Sequence, residues 1–186
     1  ETDRCNPEWI NNVNKMDHLV VPSHHIKKSF LNSGKINVPV SVIPESFPDA
    51  LGKDEYDELL EFEKDFNFLI FGQLTSGNPE DDRKNIIKTI DLIRKTFKDA
   101  DDVGVVIKSN SGRSSILDYK QTQGLITAAL KPYGSDTNVD VTLLHGHFSD
   151  KDLHSLYFNP KIKCLISLTR GEGFGLPILE AASCGL

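Results

Sequence analysis

The sequence predicts an α/β protein in which a parallel sheet is flanked by helices. From Phe66 onward, apolar runs and amphipathic stretches alternate as strand, helix, strand, helix, strand, helix, strand, helix, an order that implies parallel strands joined by right-handed crossovers. The runs end at glycines or polar loops, as at Gly72 and Gly146. The 186 residues carry 38% hydrophobic and 26% charged side chains, the balance of an ordinary globular chain.

The elements justify themselves in order. Trp9, Ile10 and Val13 are spaced on one helical face, so the first fourteen residues read as the end of a helix. Asp17–Pro22 is a short buried strand, Ser23 caps a helix over His24–Asn32, and Gly34 closes it. Val38, Val40 and Val42 alternate through a second strand, which Pro39 confines to an edge or a strand start. This βαβ piece is too short to be a domain. Residues 44–65 read as a linker: Pro44, Pro48 and Gly52 precede seven acids among the thirteen residues from Lys53. Such a charge run is a solvated face and receives no function.

Phe66–Leu74 (FNFLIFGQL) is the strongest strand, ending at Gly72. Arg83-Lys84-Asn85 then opens a helix with Ile86, Ile87, Ile90, Ile93 and Phe97 on one side. A basic pair opposes the helix dipole, so Arg83 and Lys84 are either an ordinary surface pair or cations that would neutralise a bound diphosphate. Val103–Lys108 is the second strand of this series, Ser115–Leu130 its helix, and Lys131–Gly134 a turn. Val139–Leu144 is the third strand, followed by His145-Gly146-His147-Phe148, and Asp150–Phe158 a short helix with Leu153, Leu156 and Tyr157 inward. Cys164–Leu168 suits a last buried strand, and Pro177 a first helical position, so a helix starts at about Leu176.

The stretch between these two elements carries the chemistry. Glu172 and Glu180 enclose Gly173, Gly175 and Pro177. Glycines where a strand turns into a helix leave amide donors facing an anion or a sugar hydroxyl. Carboxylates accept hydrogen bonds from hydroxyl pairs such as those of a ribose. The plainer reading is a tight-packing loop with an acid near a helix start. The stretch is neither of the familiar nucleotide loops: a dinucleotide fingerprint needs a third glycine at Leu176, and a P-loop needs a Gly-Lys-Ser/Thr ending.

Glu172-Gly-Phe-Gly-Leu-Pro-Ile-Leu-Glu-Ala181 resembles the paired-glutamate motif of retaining glycosyltransferases of the GT-B fold, in the large family-four (group 1) set. The element order before it resembles that family too. The resemblance implies a GT-B type, Rossmann-like parallel sheet with helices on it. Residues 1–43 would be the tail of an N-terminal acceptor-side domain, 44–65 an interdomain linker, and 66–186 a truncated C-terminal nucleotide-sugar-binding domain. In the family a Gly-Arg after the first strand and a lysine in its loop hold the donor phosphates. Gly72 matches that glycine and Lys84 the lysine, while Gln73 stands where the arginine is usual, one positive charge fewer. His147 and Phe148 take the positions that meet the base, Glu180 the one that holds the ribose. Glu172 and the amides of Gly173, Phe174 and Gly175 would address the sugar. Glu172 and Lys84 are the expected catalytic residues.

The implied activity is glycosyl transfer from a nucleotide sugar such as a UDP- or GDP-sugar, with retention, to an acceptor that no residue here identifies. No cofactor and no metal are expected, because Lys84 would supply the cation. A non-catalytic nucleotide-sugar-binding protein or regulatory subunit is the alternative, with an epimerase or a phosphorylase as further rivals on the same architecture. A phosphorylase would need pyridoxal phosphate, and no lysine here is a candidate to carry it. A zinc site at His145 and His147 lacks third and fourth ligands in the sequence.

The net charge of −6 argues against nucleic acid as a partner, so any phosphate site must be locally basic. Cys5, Cys164 and Cys184 form no CxxC pair, which argues against a disulfide scaffold and for a reducing, cytoplasmic location. No apolar run approaches the ~20 residues of a membrane span. The chain opens at Glu1 and stops at Leu186 inside an expected helix, so a fragment is expected. Peripheral membrane association through the absent N-terminal portion stays open.

Overall fold

The computed structural model describes residues 2–46, 60–74, 78–110 and 112–186. The chain divides into two compact units, Glu1–Pro48 with Glu172–Leu176, and Asp49–Gly171 with Pro177–Leu186. Most of the expected linker lies outside the described residues.

The first unit holds α1 (Pro7–Val13), β1 (Leu19–Val21), α2 (His24–Ser33) and β2 (Val40–Val42). Asn6 caps α1 and Pro7 starts it, with Ile10 buried but Trp9 largely exposed. The Ser23 hydroxyl accepts from the Ile26 amide, as an N-cap should. β1 and β2 pair in parallel, Leu19 opposite Val40. Pro39 precedes β2 and serves it only as an acceptor, from the Leu19 amide.

The second unit contains β3 (Phe66–Phe71), α3 (Ile86–Thr96), β4 (Val103–Ser109), α4 (Ile116–Leu130), a 3-10 turn at Lys131–Tyr133, β5 (Asp140–His145), α5 (Asp150–Phe158), β6 (Ile162–Leu165) and all but the first residue of α6 (Leu176–Ser183). Its four strands are parallel in the order β5-β4-β3-β6. Alternate residues of a strand face opposite sides, so β3 and β4 feed two cores. Phe68, Ile70, Val105 and Ile107 meet Ile86, Ile87, Ile90 and Ile93 of α3 and Ile126 of α4. Leu69 and Val106 meet Leu156, Tyr157, Ile162 and Ala181 on the other side. Burying each large aliphatic side chain contributes roughly 1.5–3 kcal/mol. Covering on both faces is why β3 and β4 read as nearly continuous apolar runs, interrupted by Asn67 in the one and Lys108 in the other.

Two details differ from the sequence reading. The apolar run suggests a strand at Cys164–Leu168, but pairing begins at Ile162 and Leu168 is 41% exposed. The Asn67 amide and side chain both bond the Lys161 carbonyl, which draws the earlier residues into register. The end of the acidic stretch is also not wholly solvated, since Phe62 is buried in the second core. Among the described residues, no helix is long and apolar enough to cross a membrane.

Candidate functional site

The chain runs outward through β3, β4 and β5, then returns to place β6 on the other side of β3. Loops leaving the carboxyl ends of β3 and β6 therefore diverge, and such a reversal point is where open α/β sheets bind ligands. Gly72 ends β3 there, its amide bonded to the Lys108 carbonyl. A Cβ on Gly72 would lie 3.0 Å from Ile86 Cδ1 and 3.2 Å from Lys84 Cγ, so the glycine lets the lysine stem lie against the strand end. Gln73 follows, exposed.

Arg83 and Lys84 precede α3 rather than open it. Asn85 is the N-cap, in the left-handed region at φ 56°, and its side chain makes no capping bond. Asp82, fully buried, does that work: one oxygen accepts from the Ile86 amide at 2.8 Å and the other from the Lys84 amide at 3.1 Å. The dipole is thus met by a carboxylate, and the basic pair lies outside the first turn.

The loop after β6 is fastened to this one. The Arg83 guanidinium donates to the Gly171 carbonyl, the Arg170 amide donates to the Arg83 carbonyl at 2.9 Å, and the Thr169 hydroxyl does so at 3.2 Å. Asn85 Nδ2 donates to the Leu168 carbonyl, and the Arg170 guanidinium to the carbonyls of Glu80 and Pro79. Arg83 therefore grips the chain just before the paired-glutamate motif. The sequence assigns no role to Arg170, whose only mark is a cation two residues before Glu172.

Within the motif, Gly175 has φ 85°, a value that favours glycine. A Cβ on Gly173 would meet nothing within 4 Å among the described residues, so tight packing does not account for that glycine. Glu172 and Phe174 are half-buried. Glu180, in α6, accepts a 2.8 Å hydrogen bond from the Tyr157 hydroxyl. Tyr157 is buried and stacks on Phe71 with centroids 5.5 Å apart. Burial, then the Glu180 carboxylate, pushes its phenol well above the usual tyrosine range, so it stays a donor. The sequence reading took Tyr157 for core alone; a tyrosine on a buried helix face asks for a partner.

After β5, His147 is exposed and Phe148 half-buried. His145 meets the Tyr119 ring edge-on at 6.1 Å. Beside them lies Lys108, 7% exposed, whose ammonium donates to the Gly146 carbonyl at 2.6 Å and sits 4.3 Å from the centre of the Phe148 ring. Desolvation holds its pKa below the usual lysine value. Sequence reasoning missed Lys108 too, its only mark being a charge inside the run VGVVIKS.

The sheet unit thus gathers Gly72, Gln73, Arg83 and Lys84 after β3, holds His147 and Phe148 after β5, and ties Glu180 to Tyr157. Glu172, Gly173, Phe174 and Gly175 group with the first unit. No cluster of three or more His, Cys, Asp or Glu side chains suited to a metal occurs among the described residues. A cavity of about 720 Å³ between α4, Arg94 and Val141 of β5 is lined by none of the expected site residues.

No protein-family profile and no curated protein sequence matches the chain. Among solved structures it is similar to the trehalose-6-phosphate synthase OtsA, with TM-score 0.66 and 12% identity over 97% of this chain and 48% of that one. The apo form of OtsA gives TM-score 0.65 at 12% identity and the same coverage. A trehalose-6-phosphate structure from E. coli bound with UDP-2-fluoro glucose gives 0.60 at 13%, again over 97% and 48%. The chain spans about half the length of these structures. The likeness is one of fold, a parallel sheet flanked by helices in the GT-B arrangement.

Proposed function

We propose that this chain is the nucleotide-sugar-binding half of a glycosyltransferase, preceded by the tail of an acceptor-side half. The reading is supported above all by the reversal between β3 and β6, whose ends lead into Gly72 and Lys84 and into the paired-glutamate motif. A second support is the fold shared with a structure bound with UDP-2-fluoro glucose.

Lys84 neutralises the donor diphosphate as it departs, and Gly72 gives the lysine stem its place. Catalysis is then mainly electrostatic: a cation set where charge develops stabilises the transition state more than the ground state. Glu180, oriented by Tyr157, accepts the ribose hydroxyls. The backbone at His147 and Phe148 meets the base. Glu172 and the amides of Gly173, Phe174 and Gly175 address the sugar. Arg83 supports Lys84 by holding the chain that enters the motif. Transfer proceeds with retention at the anomeric carbon, as described for glycosyl transfer by trehalose-6-phosphate synthase. It needs no metal. The location is cytoplasmic.

The test is turnover by the intact protein with UDP- and GDP-sugars. Lys84→Ala should lower kcat by about a hundredfold or more, the order lost with one donor to a developing oxyanion. A wild-type rate in that variant would sink the leaving-group role. One observation favours a second reading: Gln73 replaces the family's arginine with a neutral amide, as in a regulatory subunit that binds the donor without reaction. Nucleotide binding with no turnover by the intact protein would select it.

A further inference from the structure

Lys108 lies where an apolar residue would serve the fold better. On β4 it shares a face with Val106, the face covered by α5. Its ammonium is desolvated, which disfavours the charged form, and among the described residues it meets no carboxylate. What it does meet is the loop that leads from β5 into α5. The Gly146 carbonyl accepts from Lys108 Nζ at 2.6 Å, while the Gly146 amide donates to the Ser109 carbonyl at 3.2 Å. Gly146 is therefore tied to β4 through both its amide and its carbonyl, in two successive peptides. Two residues on, the Phe148 ring presents a face to the same ammonium at 4.3 Å. His147, exposed between these anchors, has its backbone set by them.

We propose that Lys108 is the positioning residue for the base end of the nucleotide site: from within β4 it holds the Gly146 carbonyl and the Phe148 ring, and so fixes the His147–Phe148 backbone that discriminates between bases. This rests on the reading of the chain as a nucleotide-sugar binder. Lys108 itself touches neither the diphosphate nor the sugar, so its loss should be felt through the base alone. An arginine at the same place can still donate to the carbonyl and lie on the ring, and should restore part of the effect.

Titration calorimetry on the full chain with UDP, GDP, ADP and inorganic pyrophosphate separates the outcomes. In Lys108→Met the best-bound nucleoside diphosphate should weaken about tenfold, within the range of one base–aromatic contact. The preference among the three bases should narrow, pyrophosphate affinity should hold, and Lys108→Arg should recover part of the preference. Unchanged base preference in Lys108→Met, or equal losses for pyrophosphate and nucleotide, overturns the proposal while leaving the nucleotide reading intact. A folded wild-type chain that binds none of the nucleotides overturns both. Should Lys108→Met fail to fold, the wild-type protein carrying ¹³C at lysine Cε gives the answer. The Lys108 signal, displaced by the Phe148 ring current, should move with a bound nucleoside diphosphate and stay with pyrophosphate. A signal that ignores bound nucleotide overturns the proposal.

Discussion

The two faces of the parallel sheet are made by alternate residues of the same strands, yet they are built differently. On one face Phe68, Ile70, Val105 and Ile107 pack against the isoleucines of α3 and Ile126 of α4, and the buried Thr89 hydroxyl of α3 turns back to donate to the Asn85 carbonyl of its own helix. On the other, Leu69 and Val106 pack against Leu156, Ile162 and Ala181, but Tyr157 sends a hydroxyl out of this core to Glu180, and Lys108 stands beyond Val106 at the strand end. The first face supplies stability. The second gives up some apolar packing to hold polar groups near the sheet's carboxyl edge, where buried polar atoms must be fully partnered to be tolerated.

Substitutions on the two faces should therefore part company. The largest effect is expected from Ile90→Ala, at a fully buried position of the apolar face. It should lower unfolding free energy by about 2–5 kcal/mol in urea titration, with nucleotide affinity per folded molecule unchanged. An equal loss of affinity would show that the faces are not separable. Tyr157→Phe should cost less, about 1.5 kcal/mol, since a charged acceptor loses its donor while the ring stays. It should, however, weaken binding of a nucleoside diphosphate by freeing Glu180 to turn. Intact affinity in that variant would remove the proposed orienting role.

The smallest effect should be common to both faces. α4 and α5 start with the same capping box, Ser115 with Asp118 and Ser149 with Asp152. Hydrogen bonds from the serine hydroxyl and amide hold each aspartate's pKa below its usual 3.8. The unfolded chain then binds more protons through that range, so this stability is present above about pH 4 and is lost as pH falls through the folded-state values. Asp118→Asn and Asp152→Asn should each flatten the acid limb of a stability–pH curve by a similar small amount. A limb unaltered in both variants would mean that the boxes carry no acid sensitivity.

The order of elements was legible because its cues are local. Apolar runs buried on both sides, Ser23 before a helix, and glycines at strand ends all announce themselves within a few residues. The paired glutamates were legible as a motif, and Lys84 as a cation in the loop after β3. Other residues were hidden for a physical reason. Nothing in Asp81-Asp82-Arg83-Lys84 tells which acid turns inward; the amides of Lys84 and Ile86 decide for Asp82. A lysine ending an apolar run reads the same whether it reaches water or folds back over the next loop, as Lys108 does. Tyr157 reads as core until Glu180, twenty-three residues on, is brought to its hydroxyl.

Periodicity and composition thus suffice for an α/β chain with parallel strands, for the places where its strands give way to loops, and for the two glutamates that enclose glycines after the last strand. Those are properties of short stretches, set by which side chains can be buried and which backbone angles are allowed. The strand order β5-β4-β3-β6 belongs to the tertiary structure, because periodicity does not say which strand a given strand will pair with. Pairing of Asn67–Leu69 with Ile162–Leu165 makes β6 the neighbour of β3 and creates the reversal. Only that long-range pairing, with the bonds from Arg83 and Asn85 across to Gly171 and Leu168, joins the lysine loop to the chain that enters the motif.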